Sequence, residues 1–80
     1  MSVYRPEILD ELARHGLVPT PDTHPQQLRD AVRDLYKYEI RRLKGLLLAG
    51  EFPRAEYAER VIDLRRHYIV LSIPLERWTV

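Results

Sequence analysis

THPQQLRDAVRDLYKYEIRRLKGLLLAG, residues 23–50, decides the fold. Thr23 followed three residues later by Gln26 has the S/T-x-x-E/Q pattern of a capping box. Pro25 falls in the first turn, where a missing backbone donor costs nothing. Apolar side chains then recur at Leu28, Ala31, Val32, Leu35, Tyr36, Ile40, Leu43, Leu46 and Leu47. That spacing of threes and fours marks one face of a helix. Gly50 supplies the stop, because glycine enters a left-handed cap cheaply. The pattern predicts a helix over about 24–49, which at 1.5 Å per residue would be about 39 Å long.

A second helix is expected over about 53–69. Pro53 suits its first turn, and Tyr57, Ala58, Val61, Ile62, Leu64, Tyr68 and Ile69 repeat at helical spacing. Only the segment around Gly50, Glu51 and Phe52 separates the two, and a link that short makes them antiparallel neighbours. Gly45 inside the long helix costs roughly 1 kcal/mol against alanine, which suggests a close helix crossing.

Two charges interrupt the apolar faces. On a wheel of about 100° per residue, Glu39 falls mid-face on the first helix and Arg65 mid-face on the second. Folding the pair about Glu51 and Phe52 sets them opposite each other. A lone buried carboxylate costs several kcal/mol and a paired one is tolerable. A structural ion pair between Glu39 and Arg65 is therefore expected in the seam.

Upstream, a short helix is expected over about 6–15, with Pro6 in its first turn, Glu7 facing the N-terminal dipole and Gly16 ending it. Its face is Ile8, Leu9, Leu12 and Ala13, and Leu17 and Val18 are expected to pack just after the stop. Too short to stand alone, it must dock on the hairpin. Pro19 and Pro21 keep the following linker extended. Downstream, Val70–Leu71 is strand-like but lacks a partner strand. Pro74 then opens a short helical turn that lays Trp78 against the bundle. The fold class is all-α: a small helical bundle in a single domain, residues 1–80.

Composition narrows the function. The chain has no cysteine and a net charge of +1, so neither a disulfide framework nor a thiolate metal site is available. No apolar run nears the ~20 residues of a membrane span. The opening Met1–Pro6 lacks the apolar core of a signal peptide, so a soluble cytoplasmic protein is expected. His15, His24 and His67 are dispersed, without metal-ligand spacing. Asp63 and His67 lie four apart but have no nucleophile beside them in sequence and read as solvated surface. Phosphate loops, dinucleotide fingerprints and nucleophile elbows are missing. No catalytic residue, cofactor or metal is assigned.

Two surfaces remain. Arg29, Arg33, Lys37, Arg41 and Lys44 form a basic stripe along the long helix, the pattern of a phosphate-tracking face. Asp30 and Asp34 sit beside it, spaced to pair with Arg33 and Lys37. Tyr36, Tyr38, Leu48, Phe52 and Trp78 cannot all fit one seam, and amphipathic aromatics are common at interfaces. The sequence thus points to a protein–protein interaction or self-associating structural module, most simply a homodimer. Nucleic-acid association through the stripe is the alternative.

Overall fold

The computed structural model describes residues 3–80. Met1 and Ser2, the first residues of the segment read as unlike a signal peptide, lie outside it. Helix α1 spans Pro6–Ala13, α2 Pro25–Leu48 and α3 Tyr57–His67. Single 3-10 turns lie at Arg54–Glu56, Ile69–Ser72 and Leu75–Arg77. The all-α architecture is that expected.

The glycine stops act as the sequence implied. Gly16 and Gly50 both take positive φ, 74° and 76°. After α1, the Leu17 amide donates to the Leu12 carbonyl and that of Gly16 to Ala13. After α2, Glu51 donates to Leu46 and Gly50 to Leu47. Both are Schellman closures. Leu17 packs on the core, whereas Val18 stays in solvent.

The start of α2 differs by one residue. His24, not Thr23, is the cap: its Nδ1 accepts from the Gln26 amide at 3.3 Å, and Gln27 Oε1 accepts from the His24 amide. Thr23 is already engaged. Its hydroxyl bonds the Thr20 amide and hydroxyl, and its carbonyl accepts from the Tyr4 phenol at 2.8 Å. With Pro25 fixed as the first helical residue, the cap falls on the residue before it.

α3 is shorter than expected. It enters through the Arg54–Glu56 turn and ends at Tyr68, where φ −107° and ψ 32° break the helix. Tyr68 and Val70 thereby turn into the core at the base of the molecule. Val70 lies in a 3-10 turn, not a strand.

That core holds Tyr4, Ile8, Leu12, Leu28, Val32, Tyr68, Val70 and Trp78. Trp78 is 0 % exposed, and its indole donates to the Ile73 carbonyl at 3.1 Å. The segments flanking it pair antiparallel at Tyr4 and Thr79, with Arg5 donating to Trp78 at 3.0 Å and Val80 to Val3 at 2.9 Å. Everything buried except Phe52 sits at this end. Beyond it α2 and α3 project as a hairpin arm, giving a molecule of 47 × 16 × 16 Å.

Gly45 lies on the outer surface of α2, and a Cβ built there meets nothing within 4 Å. It marks no close crossing within the chain. Gly45→Ala is expected to stabilise by about 1 kcal/mol, raising Tm by about 4–8 °C in a thermal scan. Trp78→Ala is expected to cost about 3–5 kcal/mol, read by chemical denaturation followed by circular dichroism.

Candidate interaction surface

The arm is the part of α2 and α3 that the base core does not reach. Ile40, Leu43, Leu46 and Leu47 meet Tyr57, Val61 and Leu64 along its seam, all half-buried. α3 fully buries no residue, and the two that α2 buries, Leu28 and Val32, belong to the base. The tip is closed by buried Phe52, with the Arg60 guanidinium 4.2 Å above its ring. Such a contact contributes about 0.5–1 kcal/mol at an exposed site.

Two long faces flank the seam. One carries a cleft of about 370 Å³ where Glu39, Arg42, Leu43 and Leu46 of α2 face Arg60, Asp63, Leu64 and His67 of α3. The other carries an apolar groove of about 340 Å³ lined by Tyr36, Arg65, Tyr68, Ile69, Leu71 and Ser72. At about 100° per residue, Ile40 and Leu47 on α2 and Val61 and Ile62 on α3 extend this apolar face toward the tip. Ile62 and Ile69 remain 48 % and 45 % exposed, and Leu48, at the tip, 71 %.

Glu39 and Arg65 are not paired. Among the described residues the ion pairs are Arg14–Glu11, Arg33–Asp30, Arg60–Glu56 and Arg66–Asp63. Glu39 lines the charged cleft and Arg65 the apolar groove, on opposite faces of the arm. The reason is rotational. The face α3 turns to α2 runs through Tyr57, Val61, Leu64 and Tyr68, which carries Arg65 to the side.

The surface residues divide. Phe52 and Trp78 are used by the fold, at the tip and in the core, and do not form a surface. Tyr36 is half-buried, edge-on to Tyr68 at 5.3 Å. Tyr38 and Leu48 stay exposed. The basic stripe is partly engaged as well. Arg29 donates to the Leu71 carbonyl at 3.3 Å, Arg33 pairs with Asp30 at 3.0 Å, and Arg41 donates to the Lys37 carbonyl. Lys37 and Lys44 make no ion pair among the described residues, so Asp34 and Lys37 do not pair as their spacing suggested.

One cluster escaped sequence reasoning. His15, just past α1, stacks on Tyr68 at 4.3 Å and meets His67 edge-on at 4.8 Å. The His15 Nε2 and a Glu11 carboxylate oxygen are buried without hydrogen-bond partners. Burial, then the neighbouring His67, holds the His15 imidazole below the usual histidine range, while Glu11 and Glu39 pull less strongly the other way. Burial and then the Glu39 charge raise the Tyr68 phenol. Fifty-two positions separate the two histidines, so no local spacing could reveal them; the one signal was an aromatic pair, His67–Tyr68, at a helix end. Among the described residues no three His, Asp or Glu side chains stand where they could hold a metal, and no helix is long and apolar enough to cross a membrane.

Compared with protein-family models, curated proteins and solved structures, the chain matches none.

The histidine cluster sets a pH dependence. The unfolded chain protonates His15 near pH 6.5, and the folded chain only at lower pH. In that window the unfolded state binds more protons, so stability is full above about pH 6.5 and falls on acidification below it. Tm measured against pH is expected to show this decline, and His15→Phe, which keeps a ring on Tyr68, to flatten it.

Proposed function

We propose that the protein is a small helical interaction module that associates with itself through the apolar face of its hairpin arm. The observation that carries this reading is an arm whose seam is only half-covered and whose flanking faces are open. A compact monomer of 9.5 kDa is expected to expose about 5,000 Å², whereas this chain exposes 5799 Å². The excess, several hundred Å², approaches the roughly 800 Å² that each partner contributes to a standard interface. Likewise, the radius of gyration is 14.8 Å, against about 12 Å for a compact domain of this length.

Position matters as much as amount. Along the arm, the half-buried leucines, isoleucine and valine of the seam cover one another only in part. An elongated apolar face of that kind is suited to a matching face, and a second copy supplies one of equal length. The nucleic-acid alternative finds less support, because Arg29 and Arg33 of its stripe already bond the tail carbonyl and Asp30.

Sedimentation across a concentration series is expected to show a reversible dimer. Ile62→Glu, which changes a half-exposed residue on the apolar face, is expected to weaken association at least tenfold while leaving the circular dichroism spectrum intact. A monomer at every concentration accessible to the experiment rejects the reading.

A further inference from the structure

Gly45 stands directly away from the seam. At about 100° per residue, Tyr38, Arg41, Arg42, Leu48 and Ala49 fall within about 60° of it round α2, and Lys37 and Lys44 within about 100°. The seam residues Ile40, Leu43 and Leu47 lie more than about 130° away. Every residue of this outer face is exposed. It is a third face of the arm, with the groove on the far side of α2 and the charged cleft bordered by Arg42.

Two features of the outer face have no use inside the chain. Glycine weakens a helix interior, because it costs more backbone freedom than other residues and brings no side chain to pack. At Gly45 a Cβ would meet nothing within 4 Å, and the positive-φ glycines are Gly16 and Gly50. Neither packing nor backbone geometry within the chain therefore calls for a glycine here. The second feature is charge. Lys37, Arg41, Arg42 and Lys44 make no ion pair among the described residues. Glu39 is the one carboxylate between Lys37 and Leu48, and it is half-buried on the cleft side. Asp34 lies just before this stretch and Glu51 past the end of the helix.

The missing side chain and the cations coincide. Residues i, i+3, i+4 and i+7 of a helix surround a hole that a side chain of a neighbouring helix can enter. Arg41, Lys44, Gly45 and Leu48 are such a set, and so are Tyr38, Arg41, Arg42 and Gly45. Glycine at the shared corner deepens both holes and admits a second backbone closely. An apolar side chain seated there meets Leu48 or the Tyr38 ring. The cations around it are complementary to carboxylates flanking that side chain. Phosphates of a nucleic acid would use the cations alone and have no need of the glycine or of Leu48.

We infer that the outer face of α2 binds an acidic amphipathic helix of a partner protein, which crosses α2 at Gly45. The site lies across α2 from the self-association face and does not rest on that reading.

Selection from a displayed library of alanine-based helices, randomised along one face, is expected to return peptides with an apolar residue flanked by glutamate or aspartate. Fluorescence anisotropy of the selected peptide then reads affinity. Gly45→Leu is the decisive variant. It fills both holes with a side chain for which the chain has room, so it is expected to raise Tm and yet weaken peptide binding about tenfold or more. A variant that gains stability and loses binding has not failed to fold. Arg41→Glu combined with Lys44→Glu is expected to abolish binding of the acidic peptide and to confer binding of a counterpart with lysine in place of its carboxylates. Ile62→Glu, on the self-association face, is expected to leave peptide affinity unchanged. Selected peptides without acidic bias overturn the inference, as does an affinity untouched by Gly45→Leu. Tighter binding to a duplex DNA probe, unchanged by Gly45→Leu, overturns it in favour of nucleic acid.

Discussion

The structure depends on one mismatch of length. Helix α2 has 24 residues, about 36 Å at 1.5 Å per residue, and the chain holds apolar material enough to enclose only its first third. Trp78 decides which third. Fully buried, with its indole nitrogen satisfied by Ile73, it draws the tail across Leu28 and Val32. α1 closes the other side through Ile8 and Leu12. Once those segments are gathered at one end, the rest of α2 has only α3 for company, and two helices cannot bury each other. The arm and its open faces follow from that allocation.

Much of this was legible in the sequence because it is local. Helical spacing, prolines at helix starts and glycines at helix ends act over four or five residues, and each element appears near where they placed it. What the sequence hid is relational. A helical wheel fixes the angle between Glu39 and its neighbours but not the rotation of α3 against it, so the supposed partner Arg65 turned to the opposite face. Trp78 was legible in part, since the turn after Pro74 was expected to lay it against the bundle and does, whereas Phe52 was counted as surplus because nothing local announces that the tip will bury it. Thr23 had the right residue for a cap, but Thr20 and Tyr4 claimed its polar groups first. The histidine cluster is the extreme case, built by tertiary packing alone.

Base and arm are therefore governed by different physics. The base is a closed apolar core with a histidine at its edge whose charging is opposed by burial and a neighbouring imidazole. The arm is a half-covered seam under a basic surface, with its tip fastened by Phe52 and Arg60. At the base, hydrogen bonds of Tyr4, Thr20, Thr23, His24 and Trp78 hold turns and the segments near the termini. The polar groups of the arm are left in solvent, where they bear on what approaches and in which direction.

The pairing of Tyr4 with Thr79 also bears on the order of folding. The arm joins residues separated by a short turn and closes at the speed of local helix formation. The core needs contacts across nearly the whole chain, whose loop-closure entropy must be met before any is rewarded. During folding the hairpin can therefore form before the residues that seal the core have met. For that interval the apolar stretches of α1 and α2 are uncovered, and they are the part of the chain that a chaperone would find first.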